Sequence, residues 1–119
     1  MNVAVIGASD NPERYSYMAV KLLQEKGHAV FPVHKRIQQI DGHKVYASIS
    51  DISEPIDTVS LYVAADISSS LSQGILNKSP RRIIFNPGAE NEDLSRQAKD
   101  KGIVPVNACT LVMLKTGQF

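Results

Sequence analysis

A three-layer α/β/α domain on a doubly wound parallel sheet of about five strands is the fold this sequence predicts. Short runs such as Val3-Ala4-Val5-Ile6 and Ile83-Ile84-Phe85 are apolar without alternation. That pattern means strands buried on both faces, as in parallel sheets covered by helices. Stretches of helical spacing stand between these runs, so strand and helix alternate along the chain. At 119 residues there is room for one domain, and residues 1–119 read as a single unit.

Taken in order, the run Val3 to Ile6 ends at Gly7. Tyr15, Met18, Ala19, Leu22 and Leu23 then follow the spacing of one helix face, closed by Lys26 and Gly27. Ala29 to Val33 is the second strand. A longer connection carries an Asp41-Gly42 turn, and Val45-Tyr46 reads as a weak strand at the sheet edge. Thr58 to Ala64 is the strongest strand, followed by a helix with Asp66 as its cap and Ile67, Leu71 and Ile75 on its buried face. Ile83 to Phe85 is closed by Asn86-Pro87-Gly88. Asn91 with Glu92 and Asp93 reads as a cap and an acidic first turn. That helix ends at Lys101-Gly102, a join like Lys26-Gly27, and passes into a last strand at Ile103 to Val106. The tail from Cys109 to Lys115 is expected to be helical and to pack back on the sheet. Right-handed crossovers between parallel strands make the whole Rossmann-like.

Composition removes several function classes. Thirteen Lys and Arg against twelve Asp and Glu leave a charge of +1, with no basic field for nucleic acid. No apolar run approaches the roughly 20 residues that span a bilayer, and the apolar start is too short for a secretion signal. A cytoplasmic, membrane-free protein is the expectation. The single cysteine, Cys109, can form neither an internal disulfide nor a zinc site by itself, so no metal is expected.

In sheets of this type ligands sit at the carboxyl ends of the strands, near the switch point. The first strand ends in Gly7-Ala8-Ser9-Asp10-Asn11-Pro12, with a glycine for a tight turn, small residues after it, and a helix start pointing free N–H groups at the crevice. The dinucleotide pattern G-x-G-x-x-G is absent, since Ser9 and Pro12 stand at its second and third glycines, and no Walker motif occurs. The second strand runs Phe31-Pro32-Val33 into His34-Lys35-Arg36. Cations at the ribose position suit a phosphorylated ribose, as in NADP or coenzyme A.

These residues carry a resemblance to the small stand-alone coenzyme A-binding proteins, which are similar to the N-terminal domain of the succinyl-CoA synthetase α subunit. It covers about Asn2 to Lys115. Its marks are VAVIGASDNPER at Val3 to Arg14, Phe31-Pro32-Val33, Asp41-Gly42 with Val45-Tyr46, Leu61-Tyr62-Val63, Asn86-Pro87-Gly88-Ala89 and Val106-Asn107-Ala108-Cys109. The resemblance implies that Gly7, Ala8 and Ser9 take a pyrophosphate on backbone N–H groups, with the Ser9 hydroxyl and the Arg14 charge adding to it. It further implies that Val33 lines the adenosine pocket beside His34, and that Lys35 pairs with a phosphate of the nucleotide end. Tyr62 and Val63 would pack on the adenine or the sugar, and Phe85, Asn86 and Pro87 would line the path of the pantetheine arm. Two departures from the family pattern stand out: Val33-His34-Lys35 replaces Val-Asn-Pro, and Ala64-Ala65 replaces paired prolines.

No arrangement for catalysis is visible. The histidines at 28, 34 and 43 lack partner spacing, and there is no H-E-x-x-H, C-x-x-C or G-x-S-x-G. Cys109 reads as a small buried apolar residue. The expectation is a non-enzymatic module for coenzyme A or an acyl-CoA, with any protein partner unidentified. A small NADP-binding oxidoreductase and a non-catalytic interaction subunit stand as alternatives.

Overall fold

The structure is a computed structural model that describes all 119 residues. Five parallel strands form the central sheet: β1 (Asn2–Ile6), β2 (Ala29–Val33), β5 (Thr58–Leu61), β6 (Arg82–Phe85) and β7 (Val104–Asn107). Two further strands, β3 (Gln39–Ile40) and β4 (His43–Lys44), make a separate antiparallel hairpin after β2. The sheet order is β2-β1-β5-β6-β7, so the chain builds outward from β1 first on one side and then on the other. The reversal falls between β1 and β5, which places the ligand crevice of such sheets at their carboxyl ends.

Alternation along the buried strands divides their side chains between two apolar clusters. Ala4, Ile6, Phe31, Val33, Val59, Leu61, Ile83 and Phe85 face one layer. It is built from α2 (Ala65–Ser70), α3 (Ser72–Asn77), α4 (Glu92–Asp100) and the Ile49–Asp51 turn. Val3 and Val5 face α1 (Tyr15–Glu25), α5 (Thr110–Lys115) and the hairpin, meeting Val20, Leu23, Ile40 and Leu114. Helices therefore cover both faces, as expected, and the tail does fold back onto the sheet. No helix is long and apolar enough to cross a membrane.

The Lys26-Gly27 and Lys101-Gly102 joins are the same structure. Gly27 and Gly102 both have positive φ, +87° and +76°. In each, the glycine amide bonds three residues back and the next amide five residues back: Gly27 to Gln24 and His28 to Leu23, Gly102 to Lys99 and Ile103 to Ala98. That pair of bonds is the Schellman stop, which satisfies the last helix carbonyls.

Five local expectations need correction. The buried face of α1 is Ser16, Ala19, Val20 and Leu23, whereas Tyr15 is 67% exposed and Met18 is exposed. Asp66 is not a cap. It lies in the first turn of α2, whose N-cap is Ala64 without a side-chain bond. The helix expected through Ile67, Leu71 and Ile75 breaks at Leu71 into α2 and α3, leaving Ile67 exposed while Ile75 is buried. Tyr46 does meet the sheet edge, but through a single parallel bridge to Val33 rather than a strand. The last strand begins one residue later than expected, at Val104.

Candidate functional site

The end of β1 passes so close to the end of β5 that only glycine fits there. Gly7 has φ +85°, and a Cβ on it would stand 2.8 Å from Val63 Cγ1 and 3.2 Å from the Tyr62 carbonyl carbon. The amides of Gly7 and Ala8 both donate to the Val33 carbonyl, at 3.1 and 3.3 Å. These two residues tie β1 to β2, so their N–H groups are already used. The open donors begin at Ser9.

Beyond that point the loop is braced by its own side chains. Ser9 Oγ accepts from the Asn11 amide and Asn11 Oδ1 from the Glu13 amide, each at 3.0 Å. Arg14 is the N-cap position of α1 and makes no side-chain cap. The amides of Ser9, Asp10 and the first turn of α1 consequently have no protein acceptor. Backbone N–H groups at a helix start, with the helix dipole behind them, attract anions.

Two clefts open here. The first, about 610 Å³, is lined by Gly7, Ala8, Ser9, Glu13, Arg14, Tyr15, Ser16, His34, Tyr62 and Val63. The second, about 560 Å³, runs from Val33, Lys35 and Arg36 over Ile49 and Ser50 to Ile67, Leu71 and Gly74. Gly7, His34 and Val63 belong to both, so the clefts form one continuous groove. Each volume is in the usual range for a small-molecule site.

Most residues singled out in the sequence converge on this groove: Gly7, Ala8, Ser9, Arg14, Val33, His34, Lys35, Tyr62 and Val63. Lys35 and Arg36 are exposed, and neither has a carboxylate partner, the only ion pair in the chain being Arg96 with Asp93. His34 Nδ1 accepts from the amides of Arg36 and Ile37, at 3.0 and 3.2 Å. Tyr62 turns its ring into the α1 side of the core. Its hydroxyl is buried and makes no bond, while the Ser60 and Thr110 hydroxyls bond each other at 2.8 Å. Burial pushes the Tyr62 phenol up to about 12, Cys109 adding to the rise and the two hydroxyls opposing it.

Phe85, Asn86 and Pro87 do not reach the groove, contrary to the expectation for them. Phe85 is fully buried in the core, and Pro87 is exposed outside both clefts. Asn86 is 1% exposed and spends its amide internally. Its Nδ2 donates to Ser60 Oγ at 3.0 Å and to the Leu61 carbonyl at 2.8 Å, and its Oδ1 accepts from the Thr110 amide at 2.8 Å. Sequence reasoning in turn missed Glu13, Tyr15 and Ser16 in the first cleft, and Ser48, Ser50 and Gly74 in the second. A signal existed for Tyr15: an aromatic residue right after an uncapped loop is poorly placed to be buried. For the Ser48–Ser50 wall there was none, since it comes from a distant turn folded over Gly74.

The groove's polar groups are amides, hydroxyls and cations, with Glu13 its only acid. It is equipped to hold a polyanion and shows no paired carboxylates for proton transfer.

The model of the CoA binding domain family matches residues 1–115. The chain is 30% identical over 100 residues to the uncharacterized protein YneT of Bacillus subtilis, covering 84% of this chain and 74% of that one. Over 62 residues it is 37% identical to the alpha subunit of an ADP-forming acetate–CoA ligase II of Pyrococcus furiosus. That match takes in 51% of this chain and only 14% of the ligase subunit. A crystal structure of an uncharacterized protein superposes with a TM-score of 0.94 at 37% identity, covering 99% of this chain and 97% of the other. With the family match extending from the first strand to the last helix, the chain belongs to the CoA binding domain family.

Proposed function

We propose that this protein binds coenzyme A or an acyl-CoA in the groove between β1, β2 and β5, without catalysis of its own. The observation that carries this is the distribution of unspent positive groups. The free amides of Ser9, Asp10 and the first turn of α1, with Arg14, lie at one end, and unpaired Lys35 and Arg36 lie at the other. Coenzyme A has two matching anionic centres, a pyrophosphate and a ribose 3′-phosphate. On this reading the pyrophosphate takes the Ser9 to Ser16 donors and the sugar phosphate takes Lys35. The adenosine lies against Val33 and Val63, and Tyr62 backs the first cleft. The pantetheine arm leaves along the groove rather than past Phe85, Asn86 and Pro87.

Family membership supports the choice of ligand, and the match to part of an acetate–CoA ligase subunit supports a binding role rather than a whole reaction. Thermal unfolding with added ligand tests it. At a hundred times its dissociation constant, CoA is expected to stabilise the fold by about 2.7 kcal/mol. Dephospho-CoA is expected to do so less, because the partner of Lys35 is missing, and NADPH least. Equal shifts with CoA and dephospho-CoA would remove Lys35 from its role, and a shift with NADPH alone would replace the ligand.

A further inference from the structure

Of the three residues shared by both clefts, Gly7, His34 and Val63, only His34 has a polar side chain. We propose that His34 is a two-sided positioning residue of the groove. Through Nδ1 it fixes the Lys35–Arg36 turn that reads the sugar phosphate. Through Nε2–H it donates to a ligand oxygen where the two clefts meet. This rests on the coenzyme A reading above and assigns a division of labour within that site.

The hydrogen bonds define both sides. A ring nitrogen that accepts two amide protons carries no proton itself, so in the neutral imidazole the proton is on Nε2. Nε2 has no protein acceptor and is free to donate to a ligand. The His34 backbone is itself held, its amide donating to the Tyr46 carbonyl at 2.9 Å. Past that bond, the amides of Arg36 and Ile37 have the His34 ring as their acceptor, and the Lys35 amide has none. No ion pair steadies either cation. The imidazole is therefore what sets the direction in which this turn presents its charges.

The two roles can be separated by isosteres. Asparagine places Oδ1 close to where histidine has Nδ1, and accepts from the amide two residues on in the same way. It has nothing at the Nε2 position. His34→Asn keeps the turn and loses the donor, whereas His34→Ala loses both.

Titration calorimetry of CoA and dephospho-CoA with wild type, His34→Ala and His34→Asn reads the difference. Wild type is expected to prefer CoA. His34→Ala should bind CoA about tenfold more weakly and lose most of its preference over dephospho-CoA. His34→Asn should keep the preference while binding both ligands several-fold more weakly. A purely structural role would instead weaken both ligands alike in His34→Ala, with the preference intact, and that result would overturn the anchoring. Loss of the preference in His34→Asn would overturn it too, and wild-type affinity in that variant would overturn the Nε2 contact. Failure of the wild type to bind CoA would overturn the proposed function, and the assignment of His34 with it.

Discussion

Two loops at the same end of the sheet differ in what they do with their hydrogen-bond donors. The loop from β6 to α4 closes on itself. Asn86 is consumed by Ser60, Leu61 and Thr110, the Ala89 amide returns to the Asn86 carbonyl at 2.8 Å, and Glu90 Oε1 accepts from Gly88. Asn91 then caps α4 through Leu94 and reaches Ala65, Ser68 and Ser69 with its Nδ2. The loop from β1 to α1 stays open. The amides of Ser9, Asp10 and the first turn of α1 have no protein acceptor, while those of Asn11, Glu13 and Arg14 bond within the loop, and the cap position is an arginine that caps nothing. Both loops combine glycine, asparagine and proline after a buried strand. Residue types therefore do not tell the two loops apart. The helix starts do: Asn91 caps α4 with Glu92 and Asp93 beside it, whereas α1 starts uncapped with no acid in its first turn.

Substitutions that act on one loop and spare the other sharpen this contrast. Asn86→Ala has the largest expected effect on stability. It leaves the buried Thr110 amide without its acceptor and takes one of two partners from both Ser60 and the Leu61 carbonyl, a loss of about 3 kcal/mol. Denaturant unfolding should show that loss, while the CoA affinity of the folded protein stays near wild type. Weakened binding at unchanged stability would reverse the roles of the two loops. Gly7→Ala should cost less, about 2 kcal/mol, from its positive φ and the approach of Val63. Because Val63 is shared by both clefts, its displacement should also weaken CoA binding about tenfold. Unfolding and calorimetry on the one variant separate the two effects, and unaltered binding would mean that the groove does not depend on this contact.

The parts of the fold that depend on apolar burial were readable. Val3 to Ile6 and Ile83 to Phe85 could be placed because a strand covered on both faces has no room for polar alternation, whereas the strand expected over Thr58 to Ala64 ends at Leu61 and buries Thr58 and Ser60 at alternate positions. The two glycine stops were readable because positive φ selects glycine. The offset of α1 was not, because its first turn borders the groove. Tyr15 and Met18 keep helical spacing yet stay exposed, and Ser16 is buried in their place. At the site, the Gly7 turn and the basic end of β2 were legible from residue type and topology. The tying of the Gly7 and Ala8 amides to Val33 and the internal bonding of Asn86 were not, since they depend on which carbonyls and hydroxyls lie opposite in three dimensions. The role of His34 Nδ1 depends in the same way on the turn that follows it.

The contrast between the open and the closed loop is tested most directly by backbone amide resonances during a CoA titration. Large shifts are expected at Ser9 to Ser16 and at His34 to Ile37, with Gly88 to Asn91 nearly still. Shifts concentrated at Asn86 to Asn91, with the first loop unmoved, would contradict the account.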